Sequence, residues 1–474
     1  MLARYAAILF ASAVTLSATA AAQEMNRSKA SGADPDTSPP RYTRTLADIL
    51  GLNDADHGGG PADGAWSGRS PESRLAEGFR LGIEQRMRFE YRDDDYRRAE
   101  LTSDRQWLLR TRGFLGLERV LDPIRVGFEF QDSRQFGSRF PETPQDVDEN
   151  EILQAYLELY LADLLGPGKP VRLQAGRLSF DLVDRKLVGR NGWRTTTNAF
   201  DGFRLQLGTP GDEWDVDIIA LQPVERLMRR RDRADENRWL FGVAGSWRGW
   251  KSIGAIQPYY FVLDDHKEQE GGLNREIHTV GVHAFSPIGR TRFDYDVDVA
   301  VQFGKNGKGR HCAWAGSWEV GYEFDHPWKP RASFMFAYAS GDRDPDDADR
   351  DRFDRMFGAG HYWSMSDTVV WENQIYPRLR LQLRPSTEWE FDIRYGAYWL
   401  ASIDDAWGTT GRRDATRSGS TFAGQEIEFR VVRQFGPRFF IEVGYSHLFG
   451  GDLQRNFESR EDSNFFYVQT IWRL

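Results

Sequence analysis

The stretch Phe293-Asp294-Tyr295-Asp296-Val297-Asp298-Val299-Ala300-Val301-Gln302-Phe303 sets Phe293, Tyr295, Val297, Val299, Val301 and Phe303 against Asp294, Asp296, Asp298 and Gln302. A period of two belongs to an extended strand, whose successive side chains point to opposite faces. One face here is apolar and the other strongly acidic, the division expected of a strand between lipid and a polar lumen. Residues 388–401 repeat it, with Trp389, Phe391, Ile393, Tyr395, Ala397 and Trp399 alternating with Glu388, Glu390, Asp392 and Arg394. So does the start of the patterned region, where Phe79, Leu81, Ile83, Met87, Phe89 and Tyr91 oppose Arg80, Glu84, Arg86, Arg88 and Glu90.

Further alternating segments centre near residues 112, 128, 157, 174, 204, 218, 244, 259, 281, 318, 336, 380, 429 and 444, and a last one covers 465–474, giving 18 candidate strands. Every second connection reads as a tight turn, among them Leu121-Asp122-Pro123, Thr209-Pro210-Gly211-Asp212, His326-Pro327-Trp328 and Gly436-Pro437. The intervening connections are long and charged, as at 92–104, 136–151, 223–236, 341–372 and 402–422. Strict short/long alternation predicts an all-β, up-and-down antiparallel transmembrane barrel with periplasmic turns and longer outer loops. The region from Gly78 supplies about 22 residues per strand and connection, ample for strands that need ~9–11 to cross. The chain closes on Phe466, Val468, Thr470, Trp472 and Leu474 on one face, similar to a barrel-assembly signal with Leu in place of the usual Phe. Aromatic pairs (Trp247 with Trp250, Tyr259-Tyr260, Phe439-Phe440, Phe465-Phe466) suit interfacial girdles. The competing reading is a secreted soluble β protein with an aromatic core.

Residues 1–22 have a basic start at Arg4, an apolar run from Tyr5 to Leu16 and a small-residue tail at Ala20-Ala21-Ala22, the pattern of a cleaved secretory signal peptide. Residues 23–77, rich in Gly, Pro, Ser and Asp, read as a flexible periplasmic linker, and 78–474 as the barrel. Across 474 residues, 62 basic against 71 acidic side chains give a net charge of −9, which argues against general nucleic-acid binding. Cys312 is the single cysteine, which excludes an intramolecular disulfide, a cysteine zinc site and an iron–sulfur cluster. No apolar run beyond the N-terminus is long enough for a helical span.

Three segments carry a family resemblance. The first runs from Gly176-Arg177-Leu178-Ser179-Phe180 through Leu187-Val188-Gly189-Arg190 and Trp193-Arg194 to Phe200-Asp201-Gly202-Phe203-Arg204-Leu205. The second runs from Ser340-Gly341-Asp342 through Arg352-Phe353-Asp354-Arg355-Met356-Phe357 to His361-Tyr362. The third runs from Gly424-Gln425-Glu426-Ile427-Glu428 through Gly444-Tyr445-Ser446 to Phe449-Gly450-Gly451. Together they resemble the bacterial alginate export family of outer-membrane barrels over most of residues 78–474. The resemblance implies an 18-stranded barrel whose arginine-lined lumen passes an anionic polyuronate outward. The short turn at Gly436-Pro437 departs from a family plug built there.

The polar face of each strand points into a barrel's lumen. Alternation therefore nominates Arg110, Arg112, Arg125, Arg172, Arg204, Arg378, Arg380, Arg384, Arg394 and Arg430 as pore lining. Arginine suits carboxylate cargo because its planar guanidinium binds carboxylate bidentately and stays charged. The opposing reading is a wall braced by Arg–acid ladders, since Glu84, Glu129, Glu158, Asp215, Asp217, Asp294, Asp296, Asp298, Glu390, Asp392, Glu426 and Glu428 share the same faces. Arg185, Arg190 and Arg194 lie on a loop that either folds inward as a gate or stays solvated.

The acidic loop 342–354 lacks the sixth-position Gly and closing Glu of an EF-hand and reads as a solvated or lipopolysaccharide-facing loop. Arg229-Arg230-Arg231, with Arg226 and Arg233, reads as an outer loop near anionic lipid or arriving polymer. The eight histidines are scattered without a His-x-x-x-His or a nucleophile elbow, so neither catalysis, a metal nor a cofactor is expected. The expectation is a monomeric outer-membrane channel exporting an alginate-like polysaccharide passively. Its partners would be the polymer or oligosaccharide, outer-membrane lipid and lipopolysaccharide, the barrel assembly machinery and periplasmic delivery proteins. The alternative is a porin for uptake of small anions or sugar acids, and a third reading is a structural barrel with a blocked lumen.

Overall fold

The computed structural model describes residues 78–95, 102–210, 212–250, 254–266, 273–289, 291–408, 410–414, 417, 419–455 and 462–474. The expected signal peptide at 1–22 and linker at 23–77 lie outside the described residues. The strands are β1 (Phe79–Asp93), β2 (Asp104–Leu121), β3 (Ile124–Phe136), β4 (Asp148–Leu161), β5 (Val171–Leu178), β6 (Phe200–Gly208) and β7 (Trp214–Glu225). They continue as β8 (Arg233–Ala234), β9 (Arg238–Trp247), β10 (Ala255–His266), β11 (Asn274–Pro287), β12 (Phe293–Asn306) and β13 (Gly309–Glu323). The last are β14 (Arg331–Ala339), β15 (Gln374–Leu383), β16 (Trp389–Trp399), β17 (Phe422–Phe435), β18 (Phe439–Gly450) and β19 (Asp462–Arg473). Each pairs antiparallel with its chain neighbour, and β1 pairs with β19 from Glu84↔Arg473 to Asp93↔Asn464, which closes the sheet. Closure leaves no edge strand to aggregate. β8 is a two-residue ribbon on the end of β7, so 18 strands form the wall and each predicted segment is one of them.

The short/long alternation of connections is looser than the sequence suggests. β12 and β13, on the long-loop end, are joined by Gly307 and Lys308 alone, with Gly307 at φ +60°, a conformation in which glycine is unstrained. At the opposite end the β4–β5 connection covers residues 162–170. The aromatic-pair reading also needs correction, because adjacent strand residues face opposite ways. Tyr260 is exposed, whereas Tyr259 is buried in the lumen and donates to Asp298 at 2.8 Å; Phe465 is buried likewise. Of the expected pairs, Trp247 at the end of β9 does meet Trp250 in the turn after it; the other girdle contacts run across strands, by Phe293–Tyr322 and Phe435–Phe439 at the turn end and Trp399–Phe422 at the loop end. Met87, Leu115, Phe128, Leu157, Phe203, Val301, Phe334 and Leu379 form an exposed apolar band between the two ends.

Inside, the lumen has two layers. Toward the turn end, inward positions are charged and buried: Glu84, Arg110, Arg112, Glu129, Glu319, Arg380, Asp392, Arg394 and Arg430. Toward the loop end they become small or apolar. Ala300, Ala313, Ala315, Ala337, Ala339, Tyr376, Tyr398 and Ala423 pack against Leu182, Leu187, Val188, Phe353, Trp363, Val369, Trp371 and Trp407, which come from loops. The barrel's apolar core is therefore a plug of inward-folded loops, held by apolar burial rather than by the wall's charges.

Candidate functional site

Two loops cross the lumen. The β5–β6 loop, residues 179–199, leaves between Gly176 and Gly202, which pair across the strands with φ of +130° and +149°. A Cβ at either would lie 2.3 Å from Ala155 O or 2.2 Å from Ala220 O, so the Gly-Arg and Phe-Asp-Gly motifs frame a close backbone approach that only glycine permits. On one wall, Arg86 donates to the carbonyls of Gly192 at 2.9 Å, Trp193 at 3.1 Å and Arg194 at 2.7 Å, and Arg110 donates to Gly192 at 2.8 Å. On the far wall, Lys186 reaches Asp296 at 3.4 Å and Asp298 at 3.7 Å and also pairs with Asp184. Burial opposes the Lys186 charge, yet Asp184, Asp296 and Asp298 hold its pKa above the usual lysine value. The ammonium pairs with Asp184 and Asp296 of the Asp184, His283 and Asp296 cluster, and His283 lies 2.8 Å from Asp296, which makes that cluster a salt-bridge network.

The β14–β15 loop, residues 340–373, meets the first loop from the other side. Phe357 N–H donates to Leu187 O at 2.9 Å and Ala359 N–H to Arg185 O at 3.1 Å. This loop is tied to the wall by Arg275–Asp354 at 2.8 Å, by Arg92 to Ser366 O at 3.2 Å and by Ser364 to Glu426 at 2.9 Å. The loops lock where Trp193 stacks on His361, with ring centroids 3.7 Å apart and planes 8° from parallel. Arg88 lies over Trp193 at 4.1 Å, and Tyr467 meets it edge-on at 4.8 Å. Aromatic and cation–π contacts of this kind contribute about 0.5–2 kcal/mol each.

The predicted arginines divide by partner. Arg110 and Arg112 share Glu84 at 2.8 and 2.6 Å; Arg204 pairs with Asp217 at 2.7 Å; Arg380 and Arg394 share Asp392 at 2.6 and 2.7 Å. Arg430 joins Glu390 and Glu442, each at 3.0 Å, and Arg378 approaches Glu319 at 3.6 Å while donating to Tyr362 O at 3.3 Å. Arg125, Arg172 and Arg384 stand at the turn-end mouth, Arg125 and Arg172 over the Tyr160 ring and Arg384 3.4 Å from Glu390. Arg378, Arg380 and Arg384, two and four apart along one strand and its end, are thus threaded with acids rather than bare.

The β5–β6 loop folds inward. Arg190 is buried, 3.5 Å from Glu129, and its Nε and Nη1 find no hydrogen-bond partner among the described residues. Arg194, half-buried, makes no ion pair among the described residues. Its pKa is pushed down to about 10, first by burial and then by the nearby charges of Arg226 and Arg355, which outweigh the opposing pull of Asp367 and Asp146. Arg185 is half-buried at the junction of the two loops, with φ +69°. The 342–354 acids spread onto arginines, Asp346 onto Arg417, Asp349 onto Arg310 and Asp354 onto Arg275.

Sequence reading missed Arg86, Arg88, Trp193, His361 and Lys186 as parts of the constriction. Arg86 and Arg88 stood on the nominated face. The signal for the plug was apolar residues in nominally hydrophilic loops, Leu187-Val188 and Val369-Val370-Trp371, facing alanines on inward strand positions.

Residues 79–468 match the alginate export family. Among solved structures, the chain is similar to OccD3 (OpdP) of Pseudomonas aeruginosa, with 11% identity, TM-score 0.58, and 89% of this chain and 98% of that chain covered. It is also similar to OprD from the same organism, with 12% identity, TM-score 0.53, and coverage of 86% and 98%. OpdQ of that organism gives 13%, 0.55, 84% and 97%. No curated protein matches the chain.

Proposed function

The chain belongs to the alginate export family and is an outer-membrane channel, and from that premise we propose that it passes an anionic, alginate-like polysaccharide outward through its arginine-rich constriction. The observation that carries this reading is the set of loop-held cations: Arg86 is satisfied by three carbonyls, and Arg194 makes no ion pair among the described residues, with Asp367 and Asp146 acting on it only through space. Burying such charges costs several kcal/mol in an empty lumen, and an arriving carboxylate relieves that cost. Transit needs weak, repeated sites rather than one tight one. Arg185, Arg190 and Arg194 act as the gate in this reading, moving with the 179–199 loop when polymer enters. The paired arginines Arg110, Arg112, Arg204, Arg378, Arg380, Arg394 and Arg430 line the path below it, and Arg125, Arg172 and Arg384 its periplasmic mouth. Passage is passive, and periplasmic delivery proteins set its direction.

Uptake of small anions or sugar acids would use the same charges, and chain length separates the two. Uronate oligomers of increasing length are added to the purified channel in a planar bilayer. Block that deepens with length supports polymer passage. Equal block by monomer and oligomer supports small-anion uptake, and no block by any uronate overturns both.

A further inference from the structure

Where β3 meets β4 at the extracellular rim, one residue opposes two: Gln131 pairs with Glu151 and Ser133 with Asp148, leaving Asp132 across from Glu149 and Asn150. The extra residue makes a bulge, and Asn150 within it takes φ +57°. A regular strand would place Asp148 and Glu151, three apart, on opposite faces; the bulge lets both reach one cluster at the rim, where each is buried, at 2% and 4% exposure. The β7–β9 loop brings Asp232 to the same point. Its Oδ1 accepts from Leu227 N–H at 2.8 Å, its own N–H donates to Glu151 Oε2 at 2.9 Å, and Glu149 N–H donates to Met228 O at 2.7 Å.

One carboxylate oxygen from each of Asp148, Glu151 and Asp232 lies within 4.8 Å of the others, the span that oxygens at ~2.4 Å from one calcium ion can bridge. Asp148 Oδ1 is fully buried and has no hydrogen-bond partner among the described residues. Two neighbouring guanidinium groups, Arg177 and Arg226, offset the three carboxylates only in part. Arg177 is shared between Glu151 at 3.1 Å and Asp201 at 2.8 Å, and Arg226 donates to the Asn198 side-chain oxygen at 2.8 Å. An all-oxygen donor set on an irregular frame suits a large, hard cation that completes its shell with water.

We propose that Asp148, Glu151 and Asp232 bind a calcium ion that pins the 226–237 loop to the barrel wall. The site is separate from the lumen and does not depend on what the channel carries. The adjoining Arg229, Arg230 and Arg231 are exposed, which offers trypsin a cut beside Asp232. Cleavage of an ordered loop requires local opening, and a bound ligand suppresses opening by mass action.

The purified full-length barrel is treated with trypsin in millimolar calcium chloride or in EGTA, and cleavage after residues 229–231 is timed by mass spectrometry. Calcium at ten times its dissociation constant should slow this cut about tenfold. Asp232→Asn and Asp148→Asn should each abolish the difference while keeping heat-modifiable migration, and Asp346→Asn in the exposed acidic loop should keep it. Equal cleavage of the wild-type protein with and without calcium, or protection that survives in Asp232→Asn, overturns the proposal. Should both variants fail to fold, equilibrium dialysis of the wild-type protein with radioactive calcium decides, and a protein that retains none overturns it.

Discussion

The wall formed by β15, β16 and β17 and the 179–199 loop are both rich in arginine, yet they hold it in opposite ways. On the wall, Arg380 and Arg394 close on Asp392, and Arg394 also reaches Glu428 at 3.4 Å. Those charges are satisfied within the protein and brace neighbouring strands. On the loop, Arg190 has two buried nitrogens without partners among the described residues, Arg194 is crowded by Arg226 and Arg355, and the Arg86 beneath them is held by carbonyls. A count of lumen arginines would merge the two groups. In the proposed function, it is the second group that meets a passing anion.

The largest effect should come from breaking the wall. Asp392→Asn leaves two buried guanidinium groups without their shared acid and should cost about 3–5 kcal/mol, read as a lower urea midpoint of the heat-modifiable form, with little change in ion selectivity. Next comes the lock between the loops. Trp193→Ala removes the ring between Arg88 and His361 and should cost about 3 kcal/mol, the lower end for a buried tryptophan, because a loop can partly collapse. It should also raise open-channel conductance in single-channel recordings.

Arg194→Gln should leave stability unchanged or slightly improved, since it relieves repulsion, while shifting the reversal potential toward cations. Smallest of all, Arg229→Ala should change neither stability nor selectivity. That side chain is 56% exposed, with Glu142 and Glu149 as its partners, and exposed pairs contribute little.

The wall was legible because lipid on one side and a polar lumen on the other impose the period of two seen in Phe293–Phe303. Side-chain direction follows from that period, so Arg110, Arg204 and Arg380 could be placed inside from sequence. Their acids could be named too, but not matched, because pairing depends on register between strands. The plug was hidden for a different reason. Its contacts join residues far apart, as Arg86 with Gly192 and Gln302 with Asp354, and its apolar surface lies in loops where no period marks it. Ala300 shares the face of Asp296 and Asp298 without a charge of its own, and it is where the plug packs. The bulge at Asn150 was equally invisible, since one extra residue shifts a face without altering composition.

The reversal potential of the wild-type channel and of the Arg190→Gln, Arg194→Gln double variant in a planar bilayer under a potassium chloride gradient tests the central claim, that the loop-held arginines set the preference for anions. The wild type should be anion-selective, and the double variant should lose most of that preference while Asp392→Asn keeps it. A cation-selective wild type, or a double variant with an unchanged reversal potential, would contradict the account.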